Sequence, residues 1–310
     1  MRARSIFIVA AIIVIAVLPL FAHWLQFVLI LAIANGIAAL GVAVLLRAGL
    51  ISLGHAMFYA ASAYGVAFLA RAGVGDFATL LVFSVLVSSL TGVIVGAFLI
   101  RYRAIFFAML NLAVSMVFYA LFAKLYNVTG GTDGIPVPIP TVFGFAFSEP
   151  VFKNILFYLG LTLMVLVGYG VSRYLNSPLG QALSAVRTNE IRLEYLGVPV
   201  WAVLLIAYVV SAALAGLGGA IAGFAIGRVV PDFTFWTASG HLVLVAVLGG
   251  IGGVVGPFMG AVFLELLHTA SVTVTDAWSF IEGAALIIVI MFMPRGLYGL
   301  LARRDESSAQ

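Results

Sequence analysis

The side chains best suited to acid–base or metal chemistry in this 310-residue sequence are four histidines, His23, His55, His241 and His268, and eleven Asp and Glu. No two histidines stand at a metal-ligand spacing. There is no HExxH, no Walker-type phosphate loop and no GxSxG elbow. Cysteine is absent, which excludes disulfides, cysteine-ligated zinc and iron–sulfur clusters. His268 follows Glu265 by three residues and shares a helical face with it. That spacing suits a metal or proton site or, more simply, a hydrogen-bonded pair. A serine–histidine hydrolase would need the two side chains to meet across helices, and Ser239 with His55 is the pair to check. The expectation is no enzyme, no metal site and no cofactor held by this chain.

Two small polar clusters repeat a pattern: "SLGHA" at 52–56 and "ASGHL" at 238–242, each ahead of an apolar run. Ser52, His55, Ser239 and His241 at such starts can cap free backbone N–H groups. The alternative is an open helix start that receives a solute carboxylate. A third feature is "GGIGGVVGPFMG" at 249–260, with six glycines. Gly249, Gly250, Gly252 and Gly253 either let helices approach closely or mark broken helices that line a pathway.

The fourth feature is "NSPLGQALSAVRTNEIRLEYLG" at 176–197, which holds Arg187, Glu190, Arg192 and Glu194 within eight residues, whereas only 8% of the whole chain is charged. Ser177 followed by Pro178 is a helix start. Leu179, Leu183 and Val186 recur at i, i+4 and i+7, giving a short amphipathic helix. Thr188 or Asn189 caps a second turn that carries Glu190 and Glu194, and Gly197 with Pro199 stops it. Such a helix rests on headgroups or fits a groove of another protein. Its mixed charge favours the groove.

The elements that position these features are apolar. The chain is 64% hydrophobic, against roughly 45–50% in soluble domains. It therefore predicts an all-α, polytopic transmembrane bundle forming one domain over 1–310. Runs bounded by charges, glycine or proline fall at 5–22, 26–46, 56–70, 77–100, 104–123, 154–172, 200–227, 240–249, 257–270 and 279–294. The run at 5–22, behind Arg2 and Arg4, reads as an uncleaved first helix. Segments 240–249 and 257–270 are short for a bilayer, which needs about 20 residues per helix. With the N-terminus inside, eleven Lys and Arg fall on the cytoplasmic side and four outside. Six crossings leave the insert, 174–199, in the cytoplasm. An even number must follow to keep Arg303 and Arg304 inside, so ten segments, two of them short, with both termini inside, satisfy the charges. The formal net charge of +4 follows from that asymmetry and predicts no nucleic-acid partner. "TGGTDGIPVPIP", 129–140, then lies outside as a turn-rich loop. Thr129, Gly130, Gly131 and Asp133 either simply connect segments or gate the mouth of a pathway.

These residues in this order resemble the LivM-type permeases of branched-chain amino acid ABC transporters. The insert matches at Ser177, Pro178, Gly180, Ala182, Leu183, Ala185, Arg187, Asn189, Glu190, Glu194, Leu196 and Gly197. "GLISLGHAMF", "TGGTDGI", "VLGGIGGVVGP" and "MPRGL" follow the family order from about residue 30 to 301. Gln181 stands where a basic residue is frequent, and Val42 where many relatives carry asparagine. The resemblance implies a multi-pass permease of the bacterial inner membrane, with no cofactor of its own. It implies a LivH-type second permease, two ATPase subunits that bind the ATP, and a periplasmic substrate-binding protein. On it, the insert is the ATPase-docking segment. Urea, short amides or aromatic acids are alternative solutes within the wider family. An ion-coupled secondary transporter, with Glu265 and Glu282 as its acidic residues, is the alternative of another class.

Overall fold

The computed structural model describes residues 23–274, 277–293 and 296–299. The segment expected at 5–22 lies outside them. Helices form at each of the other nine apolar runs: α1 (His23–Arg47), α2 (His55–Arg71), α3 (Phe77–Leu99), α4 (Ala104–Lys124), α5 (Glu149–Leu175), α8 (Val200–Ile226), α9 (Trp236–Gly249), α10 (Val255–Val274) and α11 (Trp278–Phe292). The insert between α5 and α8 supplies α6 (Pro178–Thr188) and α7 (Glu190–Tyr195). Six helices among the described residues are long and apolar enough to cross a membrane: α1, α3, α4, α5, α8 and α10. The run at 257–270, expected to be short, is thus a full-length helix, because the residues after it continue the helix, with Thr273 bonding back to the Ala270 carbonyl (2.7 Å). Helix α9 is short as expected. The one described sheet is two residues deep, Ile135–Pro136 paired antiparallel with Arg228–Val229.

The centre of the bundle is α8 with α1 and α2. The most apolar window of α1 is 89% buried and that of α8 61%, against 22–28% for α3, α4 and α5. Small residues decide this. A Cβ built on Gly216, Gly218 or Gly219 would meet Ser88, the Ala34 carbonyl or the Tyr59 carbonyl respectively. Three successive neighbours, α3, α1 and α2, thus approach α8 to near-backbone contact. Buried serines tie the same helices. Ser62 donates to the Gly216 carbonyl (2.5 Å), Ser88 to that of Ala212 (2.6 Å) and Ser211 to that of Gly41 (2.7 Å). The outer faces of α3 and α4 carry Leu86, Leu90, Ile94, Phe106 and Met109, all exposed, as a lipid-facing surface requires.

Contacts define two ends. At one, which we term the insert end, Arg103 of the α3–α4 turn bonds Glu190 of α7, and Gly49 after α1 faces Arg187 of α6. At the opposite, loop end, Phe77 N donates to the Thr141 carbonyl (2.9 Å) and the Ile135–Pro136 strand pairs before α9. The 129–140 stretch is therefore built into a cap rather than left loose. Gly130, Gly131 and Gly134 all take positive φ, which glycine adopts without strain. Thr129 is buried and donates to the Leu125 carbonyl (2.8 Å). Asp133 accepts from the Tyr126 hydroxyl (3.0 Å), and its backbone carbonyl accepts from Arg228 (2.6 Å).

Candidate functional site: the charged insert and the interrupted helices

The insert folds as its local sequence dictates. Ser177 accepts from Gly180 N (3.4 Å) and Pro178 opens α6. Between the two candidate caps for α7, Asn189 does the work, accepting from Arg192 N (3.0 Å). Gly197, at φ 79°, closes the turn. A side chain at Gly180 would strike the Tyr174 and Leu175 backbone, so the tight α5–α6 corner needs glycine there. Ala185 is half-buried and Glu194 exposed.

Two features differ from the sequence expectation. Leu183 and Val186 are buried against the chain's own bundle, while Leu179 is 40% exposed. The apolar stripe therefore anchors the insert to this protein instead of offering itself to another. The most exposed apolar residues of the insert are Ile191, Tyr195 and Leu196, at 65, 88 and 73% exposure, which helical periodicity in α6 did not single out. Second, Glu190 is not free. Arg103 grips it with Nε to Oε2 (2.9 Å) and Nη2 to Oε1 (2.5 Å), and also donates to the Ile100 and Tyr102 carbonyls. The hydrogen bonds from Arg103 hold the Glu190 carboxyl below its ordinary range, against the opposing effect of partial burial. No sequence spacing links residues 103 and 190; only the fold brings them together.

The interruption expected at the glycine cluster, between the runs ending at 249 and beginning at 257, is present and spans 250–254: α9 ends at Gly249 and α10 begins at Val255. A side chain on Gly249 would meet the Gly256 carbonyl and Pro257 N, so close packing of this hairpin requires glycine. Gly250 takes φ 94°, and Gly252 and Gly253 lie against the Tyr298 ring. A second interruption, at 48–54, joins α1 to α2. Ser52 donates to Asn111 Oδ1 (3.2 Å), seven residues into α4, and at about 1.5 Å per residue that is about 10 Å inside the bundle. Helix α2 therefore starts inside the protein.

At that start the two repeated clusters meet. Ala56 N donates to Ser239 Oγ (2.9 Å), so the serine of the second cluster caps the helix that the first begins. The cap comes from another helix, and the α2 start is filled by protein. Ser52, His55 and Ser239 are fully buried. His55 does not face Ser239; its Nε2 lies 2.5 Å from Ser211 Oγ. Because Ser211 gives its hydrogen to Gly41, the imidazole is the donor, which is the reverse of a base-activated serine. His241 lies apart, 3.9 Å from Glu265. Nor do Glu265 and His268 pair within α10. Asn35 donates to Glu265 Oε1 (2.6 Å), and His268 Nδ1 contacts Glu282 Oε1 (3.0 Å). No cluster of three or more metal-ligating side chains occurs among the described residues. Val42 is buried in the α1 core.

The insert and the α9–α10 interruption share one cavity at the insert end. It measures about 660 Å³ and is lined by Arg187 together with Leu46, Gly49, Gly250, Gly252 and Tyr298, among others. Gly249 and Gly253 are not among its lining residues.

The chain is similar to the permease protein LivM of the high-affinity branched-chain amino acid transport system. It is 30% identical to that of Salmonella typhimurium over 80% of this chain and 64% of the relative, and 28% identical to that of Escherichia coli over the same shares. It is also 28% identical to the permease protein LivH of Escherichia coli, over 57% of this chain and 54% of the relative. The chain thus spans about two thirds or less of the length of these relatives. No solved structure matches it. The family described as the branched-chain amino acid transport system, permease component, matches residues 24–290. Over nearly its whole length, this chain belongs to that family.

Proposed function

We propose that this chain is the membrane-spanning permease subunit of an ATP-driven importer for a branched-chain amino acid or a related small amphipathic solute. It works with a second, LivH-type permease, two ATPase subunits and a periplasmic substrate-binding protein in the bacterial inner membrane. The observation that carries the reading is the mounting of the insert. Segment 174–199 is anchored by Leu183 and Val186 and by the Arg103–Glu190 pair, and it presents Ile191, Tyr195 and Leu196 outward. A motor subunit gripping that surface moves α5 and α8 directly, because the insert is continuous with both.

Arg187 lines the cavity beside the α9–α10 interruption, so the same movement reaches the glycine hairpin. Ser177, Pro178, Gly180, Ala185, Asn189, Glu194 and Gly197 shape the handle. Gly250 and Gly252 border the route at its exit. Ser52, His55 and Ser239 hold the start of α2 in place behind it, and Thr129, Gly130, Gly131 and Asp133 form part of the cap at the other end. We assign the insert end to the cytoplasm, because Arg47, Arg101, Arg103, Arg173, Arg187 and Arg192 gather there against Arg71, Lys124, Lys153 and Arg228 at the loop end. Ten segments with both termini inside complete this topology.

The test is reconstitution of the complete complex in vesicles with Tyr195→Ala and Leu196→Ala changes. Solute uptake is expected to fall while the complex still assembles and hydrolyses ATP. Uptake that continues without the ATPase subunits would instead favour ion-coupled transport.

A further inference from the structure

Among the described residues, every Lys, Arg and Asp and every Glu but Glu265 lies in a loop, in the insert or within five residues of a helix end; Glu282 is the fifth residue of α11. A charged side chain at the centre of a bilayer is costly and marks function more often than structure. Glu265 is the deeper one. It is the eleventh of twenty residues in α10, and its partner Asn35 is the middle residue of the twenty-five in α1.

The carboxylate is oriented but not saturated. Asn35 donates to Oε1 (2.6 Å), and Asn35 is itself fixed by the Tyr59 hydroxyl (3.2 Å). His241 Nε2 lies 3.9 Å from the same oxygen, too far for a hydrogen bond. No hydrogen bond among the described residues engages Oε2, although the side chain is only 10% exposed. One turn towards the loop end, His268 pairs with Glu282 at 3.0 Å. The imidazoles of His241 and His268 are 28 and 39% exposed. The cluster thus opens to one side at membrane depth, where lipid offers no hydrogen bonds. That open side must be met by a polar group from outside this chain.

We propose that Glu265 is a specificity-determining residue that accepts the cationic amino group of the solute during its passage, with Asn35 aiming the carboxylate. An ammonium group brings three donors and a full positive charge. Oε2 offers the acceptor, and charge-assisted bonds are the stronger kind. A purely structural role would be served as well by glutamine, which keeps the bond from Asn35; recognition of an amine needs the charge. This inference rests on the importer reading above.

The experiment uses the complete purified complex in detergent, without ATP or binding protein, and measures stabilisation against heat by three probes. They are leucine, isoamylamine, which keeps the amine, and isocaproate, which keeps the carboxylate but lacks the amine. Leucine and isoamylamine are expected to raise the unfolding temperature of the wild type, and isocaproate is not. In Glu265→Gln the concentration needed for the leucine effect should rise at least about tenfold, about 1.4 kcal/mol. The idea is overturned if isocaproate matches leucine on the wild type, if no probe stabilises it, or if Glu265→Gln responds at wild-type concentrations. Should that variant not assemble, the wild-type comparison decides alone. ATP-driven uptake of a solute without an amino group would sink this inference and leave the importer reading standing; absence of any ATP-driven uptake would sink the importer reading itself.

Discussion

Replacing Glu190 by glutamine tests whether the insert is clamped to the bundle through Arg103. The pair is bidentate, with contacts of 2.9 and 2.5 Å and side-chain exposures of 36 and 30%. Exposed pairs are worth about 0.2–1 kcal/mol, with two-point arginine–carboxylate geometry at the favourable end. We therefore expect a coupling of about 1 kcal/mol, a factor of about five in the equilibrium between seated and released insert. The measurement is a double-mutant cycle over Arg103→Gln and Glu190→Gln. It is read as the susceptibility of the insert to protease at Arg187 and Arg192, and as solute uptake per ATP hydrolysed. Because Arg103 lowers the carboxyl pKa, the clamp is complete above the ordinary carboxylate value of about 4.3. It fades only as pH falls through the lower, folded value. Full strength is thus expected at pH 7, with release in acid that the double mutant does not show. A coupling below about 0.3 kcal/mol refutes the clamp. So does a charge-swapped Arg103→Glu, Glu190→Arg protein that couples no better than either single change.

Ser239→Ala removes the acceptor for the buried Ala56 N–H and should lower stability by about 1–2 kcal/mol, measured by denaturant unfolding; an unchanged midpoint would mean the α2 start is capped by something else. Gly219→Ala drives a methyl group into the Tyr59 backbone and should cost about 1–3 kcal/mol, whereas Gly240→Ala, with nothing within 4 Å of its new Cβ, should be neutral or slightly stabilising in the same assay. Since the chain has no cysteine, Ser184→Cys and Ser148→Cys can be labelled one at a time in intact spheroplasts with an impermeant maleimide. Labelling is expected at 148 and not at 184, and the opposite pattern would reverse the orientation of the insert.

Local signals were sufficient for the helices. Hydrophobic runs bounded by charge placed α1 to α5, α8, α9 and α11 to within about five residues, because a long apolar stretch has few other ways to satisfy its backbone away from water. Helix α10 was located but read as too short, since its polar C-terminal turn hides the helix's full length. The cap at Ser177 and the interruption at the glycine cluster were equally legible, and the α7 cap was narrowed to Thr188 or Asn189, since each depends on neighbours only a few positions away. What the sequence could not disclose was which partner each polar group would choose. Glu265 and His268 share a face of α10, yet each reaches to a different helix. Ser239 caps a helix 183 residues distant, and Arg103 meets Glu190 across 87 residues. The stripe in α6 was visible as periodicity, but whether it faced the chain's own bundle or another protein depended on where α5 and α8 placed it. Those pairings are set by how closely α1, α2 and α3 pack against the glycines of α8, a property of three-dimensional fit that no spacing along the chain encodes.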